Sequence, residues 1–394
     1  MKILISGASI AGPALAHWLH RDGHEVTVVE RAPQLREGGY KVDIRGAAIE
    51  VCRRMGILDD VRAASTSMRT ASWVDGDNRV IATLPADFFE GRAPGDDEIM
   101  RGDLARILYD RTKDGVEYRF DDSIAALDES PEGVQVTFER GAPRRFDLVI
   151  GADGLHSRVR ALAFGDESAY LKHLGAYISI YSTPNYLDLD HAELYYGSLD
   201  RLVSVYSARN NTEARSLFIF NSPELEYDRR NAKPVLEQRF SGEGWQTPRL
   251  LEFMRDADDF YFDSISLVEM AQWSRGRVAL LGDAAYCASP ASGQGTGLAL
   301  VGAYVLAGEL KAANGDHIAA FANYETVMRP YVKVNQEFAG KAVKSFTART
   351  RGQLRMRNVM MRLLPYMPWK NAIAAGITKQ LQRAANHVEL KNYG

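Results

Sequence analysis

Gly7-Ala8-Ser9-Ile10-Ala11-Gly12 has the residue types and spacing that hold a dinucleotide pyrophosphate. Gly7 permits the tight turn and Gly12 the close packing of helix on strand, while Ser9 stands where a third glycine normally lets the backbone approach the phosphates. Serine is small enough to preserve that approach. The helix opening at Ile10 and Ala11 brings free N–H groups and the positive end of its dipole to the same place. Glu30 follows Gly12 by eighteen residues. A carboxylate there accepts hydrogen bonds from an adenosine ribose and repels a 2′-phosphate, which favours FAD or NAD over NADP. The plainer alternative is a glycine-rich strand-to-helix turn with Glu30 as a surface carboxylate.

Two further segments have the same character. DLVIGADGLHSRVR, residues 147–160, runs an apolar strand into Gly151-Ala152-Asp153-Gly154. RVALLGDAAYCASPASGQGTGLAL, residues 277–300, delivers Gly282-Asp283 and then Pro290 and the Gly293-Gln294-Gly295-Thr296-Gly297 loop, from which a long apolar helix opens.

These groups need a scaffold, and the periodicity supplies one. Lys2–Ser6, residues 10–21 and residues 26–30 read as strand, helix and strand, a compact βαβ unit. Arg101–Asp110 reads as a helix, and residues 133–139 and 146–150 read as strands. From Ala176 the texture changes: AYISIYST, HAELYYGS, RLVSVYSA and RSLFIFNS follow one another with alternating aromatic and polar positions, the pattern of an antiparallel sheet. Residues 277–281 then return as a buried strand. The fold class is α/β: a Rossmann-type dinucleotide domain over 1–70, 100–172 and 264–340, an inserted antiparallel β-sheet domain over 71–99 and 173–263, and C-terminal helices over 341–394.

Composition bounds the function. The 394 residues are 46% hydrophobic and 25% charged, with net charge −3, which suits a soluble globular chain and gives no electrostatic footprint for nucleic acid. Cys52 and Cys287 form no CxxC pair, so neither a disulfide framework nor a thiolate metal site is expected, and a cytoplasmic location fits. The start of the chain is broken by Ser6, Gly7, Ser9 and Pro13 and reads as folded structure, not a signal peptide. Residues 297–310 are too short for a membrane span. The segment 341–394 carries eleven basic residues and one acidic, Glu389, so it holds +10 and the remainder −13. Val359, Met360, Leu363, Leu364, Met367 and Trp369 interleave with Arg355, Arg357 and Arg362. A basic helical tail packed on an acidic body with its charges solvated is favoured over a membrane-surface segment.

The three glycine-bearing segments, in this order and separation, resemble the single-component FAD-dependent aromatic hydroxylases of the para-hydroxybenzoate hydroxylase class. The resemblance covers nearly the whole chain. It implies that the first turn, with Glu30 and the adjacent Arg31, holds the ADP half of non-covalently bound FAD, and that Asp153 serves flavin and nicotinamide binding. It also implies that Asp283 meets the ribityl chain, and that the loop from Pro290 through Gly293, Gln294, Gly295, Thr296 and Gly297 meets the flavin ring. GGYKVDIRG, Gly38 to Gly46, and MRGDL at Met100 are similar to the branch of tetracycline-inactivating monooxygenases. That likeness implies FAD contacts for Asp43 and Arg101, a nicotinamide contact for Arg36, and more weakly a role for Arg45.

Absences narrow the reading. A single fingerprint leaves no second dinucleotide domain, so NAD(P)H binds transiently. No W-x-W-x-I-P signature of flavin halogenases is present. His17, His20 and His24 read as helix and turn residues and not as metal ligands, His156 as a supporting group, Ser157 as lacking a G-x-S-x-G elbow, and Cys287 as a buried inert residue.

The resemblance implies hydroxylation of a phenolic, polycyclic or other electron-rich substrate, aromatic or polyketide-like, by NAD(P)H and O2 through a flavin C4a-hydroperoxide. It names no catalytic residue. A flavin-dependent dehydrogenase without oxygen insertion, and an idle ligand-binding protein on the same fold, are the rival readings. The inserted sheet should face the flavin and form the pocket, with Tyr177 and Tyr181 as one set, Phe218 and Phe220 as another, and Tyr195, Tyr196 and Tyr206 as further candidates. Nothing in the sequence sets an oligomeric state.

Overall fold

The computed structural model describes residues 1–36 and 38–394, with the side chain of Phe89 also outside the described residues. The β-branched run Lys2–Ser6 is an inner strand of a six-stranded sheet. The order is Ser274–Arg275, Val278–Leu280, Leu148–Gly151, Lys2–Ser6, Glu25–Glu30 and Glu117–Phe120. All neighbours pair in parallel except the two-residue edge strand. Ile3, Leu4 and Ile5 are wholly buried, as a parallel strand covered on both faces requires. The helices Ala11–Arg21 and Gly295–Ala312 pack against each other. This strand order gathers the carboxyl ends of Lys2–Ser6, Leu148–Gly151 and Val278–Leu280, and each of the three glycine-bearing turns follows one of them.

The strand expected over residues 146–150 is two strands. Arg144–Phe146 pairs antiparallel with Gly133–Phe138, and Leu148–Gly151 joins the main sheet. Asp147 marks the switch, its carboxylate accepting the Lys2 N–H at 2.6 Å.

The four aromatic segments form the middle of a seven-stranded sheet ordered Tyr261–Val268, Leu171–Thr183, Glu213–Asn221, Arg201–Ala208, Ala192–Ser198, Thr70–Val74 and Val80–Pro85. Alternation sends Tyr177, Tyr181, Phe218 and Phe220 to one face and Ile178, Ile180, Leu217 and Ile219 to the other. The aromatic face does not form a pocket. It packs with Leu236, Phe240, Leu250 and Met254 of the helices Lys233–Phe240 and Thr247–Asp256 in a separate core. The Tyr181 hydroxyl donates to the Leu250 carbonyl at 2.9 Å and the Tyr177 hydroxyl accepts the Leu225 N–H at 2.7 Å. Large rings with a satisfied polar tip stabilise a dry helix-on-sheet interface better than a wet wall would, so the expected pocket face is off by one residue.

The tail also departs from expectation. On the helix Arg351–Leu363 and the turn Leu364–Tyr366 after it, Met356, Val359, Met360, Leu363 and Tyr366 are exposed and Leu364 is buried; Trp369, just before the next helix, is exposed too. Arg357 is not solvated: its guanidinium lies 4.5 Å over the Trp73 ring. The following helix, Lys370–Ala385, packs on His317–Ala342. Among the described residues no helix is long and apolar enough to cross a membrane.

Candidate active site

The first turn is held by atoms that leave no room for larger side chains. Gly7 has φ +108°, and a Cβ there would meet the Ala152 carbonyl oxygen at 2.5 Å, while a Cβ on Gly12 would overlap the Gly7 carbonyl oxygen. Ser9 accepts a hydrogen bond at 2.7 Å from Arg101, the first residue of the helix Arg101–Asp110. Glu30 accepts the N–H groups of Ala8 and Ala32, both at 2.9 Å, so its carboxylate fixes the turn and each oxygen retains a lone pair.

A cavity of about 1270 Å³ runs from this turn to the aliphatic face of the seven-stranded sheet. Gly7, Ser9, Ile10, Ala11, Glu30, Arg31, Arg36, Asp43 and Arg101 line it, as do Asp153, Asp283, Pro290, Gly293, Gly295 and Thr296. Four of the expected cofactor residues lie behind the wall. Gly12 packs on the turn, and Gly297 packs near the Tyr331 hydroxyl. Gln294 is buried, and Arg45 is buried against Asp43 at 2.7 Å. Of the expected substrate residues, Tyr195 and Tyr206 line the cavity, whereas Tyr177, Tyr181, Phe218 and Phe220 are on the opposite face of the sheet. Ile178, Ile180, Leu202, Leu217 and Ile219 supply the apolar wall in their place. The alternation carried that signal, but aromatic content drew attention to the other set.

Asp283 is exposed by area, yet protein surrounds it closely enough that burial raises its carboxyl pKa. The exposed surface of Asp283 faces the cavity. Burial pushes the neighbouring Cys287 thiol well up, as expected of an inert residue. Ser289 carries φ +68°, a strained conformation for a residue with a Cβ, and its hydroxyl accepts the Ala291 N–H at 3.1 Å. The chain then enters Gly295–Ala312, whose amino terminus opens beside Gly293 and Gly295 on the cavity wall. Asp153 is used locally: it accepts the N–H groups of Arg158 and Val159 at 2.8 and 3.1 Å and the Ser157 hydroxyl, capping the helix Arg158–Phe164.

His156 bridges the two sheets' territories. Its ring nitrogens lie 2.9 Å from Glu167 and 2.9 Å from Asp263 of the strand Tyr261–Val268. Burial acts to lower its pKa, and the two carboxylates outweigh that and raise it.

One charged network escaped the sequence reading. Lys41 pairs with Glu90, with Glu98 at 3.3 Å and with Glu193 at 2.7 Å, and Arg92 pairs with Glu90, with Glu98 at 2.6 Å and with Asp43 at 3.7 Å. The KVDIR alternation, with Lys41 and Asp43 on one face of the strand Lys41–Ile44 and Arg45 directly after it, was its only signal. With Arg45, the buried part of the network sets three cations against four carboxylates, Asp43, Glu90, Glu98 and Glu193, while Arg92 also meets the exposed Asp87 at 2.7 Å. Burial and the excess negative charge push Glu90 from its ordinary 4.5 up to about 8, against the pull of Lys41. The folded chain therefore keeps a proton that the unfolded chain releases, so stability is lost as pH rises from about 4.5 through about 8. Glu90→Gln is expected to flatten the fall in Tm between pH 6 and pH 8, measured by thermal melts; an unchanged slope would contradict the assignment.

Comparison with known proteins agrees with this geometry. The family described as FAD binding domain matches residues 1–333. An uncharacterized protein of Mycobacterium tuberculosis is 49% identical over 339 residues, covering 85% of this chain and 91% of its own. A flavin-dependent monooxygenase of an unknown prokaryotic organism is 45% identical over 350 residues, covering 88% and 90%. The crystal structure of the tetracycline destructase Tet(51) superposes with a TM-score of 0.88 at 38% identity, covering 99% of both chains. The chain belongs to the FAD binding domain family, as one of its FAD-dependent monooxygenases.

Proposed function

We propose that the protein, with FAD bound and NAD(P)H as transient reductant, inserts one atom of O2 into a phenolic or polycyclic substrate held against the aliphatic face of the seven-stranded sheet. The observation that carries the reading is the continuity of the cavity, which joins the glycine turn, Asp283, the Pro290–Gly295 loop and an apolar wall in one space. The residues present fit FAD. Gly7 and Gly12 form a cradle that a Cβ would fill, Glu30 lines the cavity with a lone pair left on each oxygen, and Asp283 faces it with no ion pair to a cationic side chain among the described residues.

FAD supplies the electron store and the site of oxygen activation. The protein's own groups do the rest. With FAD bound, the amino terminus of Gly295–Ala312, which opens on the cavity, would offer N–H groups and a positive dipole end to negative charge on the flavin. Ile178, Ile180, Leu217 and Ile219 exclude water from the reacting edge. The tetracycline destructase likeness makes tetracycline the first substrate to try. NADPH oxidation and O2 uptake should both accelerate on its addition, with product formed in step. Oxidation that yields only hydrogen peroxide across a panel of tetracyclines and phenols would sink the reading.

A further inference from the structure

We propose that the helix Arg351–Leu363 docks the protein on anionic phospholipid bilayers, lying in the headgroup region without crossing it, its outward side turned to the lipid.

A helix on a globular surface turns its apolar stripe to the core and its polar side to water. This helix has apolar side chains on both sides. Inward, Met361 packs on a small core of Leu84, Phe88 and Leu364, and Arg357 and Met361 line the cavity. Outward, Met356, Val359, Met360 and Leu363 are each more than half exposed. At about 100° per residue, Met356, Val359 and Leu363 fall within about 60° of one another, on the side opposite Leu354, Arg357 and Met361. Tyr366 and Trp369, exposed just beyond the helix, add rings with an apolar body and a polar tip, which suit a lipid–water boundary.

Charge identifies what covers the stripe. Arg351, Arg355 and Arg362 fall within about 40° of one another and run as a row along its edge. All three are exposed, as is Arg349 just before the helix. Among the described residues, Lys391, on Glu309 at 2.6 Å, is the one cation of the segment 341–394 in an ion pair, and Glu389 is the segment's one acidic residue. An anionic bilayer meets both features at once: the apolar stripe enters the boundary between headgroups and acyl chains, and the arginine row meets lipid phosphates. Pairing two copies through this face would instead gather two rows of arginines, with no carboxylate of the helix to offset them. Because the other side of the same helix walls the cavity, docking sets the cavity beside the lipid surface.

The test floats the full-length, FAD-loaded protein with vesicles, either of phosphatidylcholine alone or of an equimolar mixture with phosphatidylglycerol. Wild type is expected to bind the mixed vesicles at least about tenfold more tightly than the neutral ones, and to be released as salt rises from about 0.05 to about 0.5 M. Met356→Gln, Val359→Thr and Leu363→Gln together should cut binding to the mixed vesicles at least about tenfold. Arg351→Gln, Arg355→Gln and Arg362→Gln together should remove the preference for them. All six side chains are exposed, so both variants should keep the wild-type Tm. No binding of the mixed vesicles by wild type, binding that survives the three apolar substitutions, or a preference that survives the three arginine substitutions would each overturn the proposal. Self-association of wild type without lipid, abolished by the apolar substitutions, would overturn it too, since a second copy would then cover the face. Vesicle binding requires neither reductant nor turnover, so its failure leaves the monooxygenase reading untouched.

Discussion

Gly12→Val is expected to weaken FAD binding by at least about a hundredfold and to lower stability by about 1–3 kcal/mol, the scale of overpacking a filled site. The cause is local. Even the first carbon of the new side chain overlaps the Gly7 carbonyl oxygen, and Ile5 packs 3.3 Å from the same point, so the helix Ala11–Arg21 must move off the strand that it follows. That movement takes the helix's free N–H groups away from the phosphates, and the turn loses the shape that Glu30 fixes through Ala8 and Ala32. Fluorescence titration of FAD into the apoprotein reads the affinity, and a thermal melt of the same sample reads the stability. Unchanged FAD affinity would mean that the dinucleotide does not sit on this turn.

The second large effect separates residues on the two faces of one strand. Phe220→Ala should cost about 3–5 kcal/mol of stability, because the ring lies buried against Phe240 and Tyr177 and leaves a cavity that the two covering helices cannot fill. Leu217→Trp, on the other face of the same strand, should do the opposite. Its half-buried side chain lines the open cavity, so the larger ring has space, Tm should shift by only a few degrees, and kcat/KM for tetracycline should fall at least about tenfold as the substrate's room is taken. Thermal melts and steady-state kinetics on the two variants decide it. If Phe220→Ala spared stability and changed only substrate kinetics, the two faces would have been assigned the wrong way round.

This pair also shows what a one-dimensional reading reaches. The alternation of RSLFIFNS marked a strand with two unlike faces, and the structure has that strand. Which face meets the cavity depends on which side of the sheet the helices Lys233–Phe240 and Thr247–Asp256 cover, and the alternation within the strand does not record that. The glycine turns were legible because their chemistry is local: a tight turn, a helix start and a carboxylate at fixed offsets. Arg357 and the Lys41 network were not. In each, the partners lie far apart in the chain, Arg357 with Trp73 and Gly197, and Lys41 with Glu193, and their burial exists only once the seven-stranded sheet has formed. Asp153 shows the converse, a residue whose motif was conspicuous but whose carboxylate is occupied in capping the next helix.

Oxygen-18 incorporation tests the central claim most directly. The FAD-loaded protein is supplied with NADPH and tetracycline under 18O2, and the product is weighed by mass spectrometry against a control in ordinary O2. The account predicts one labelled oxygen atom per product molecule. Product formed in confirmed turnover without any label would contradict it and identify a dehydrogenase on this fold.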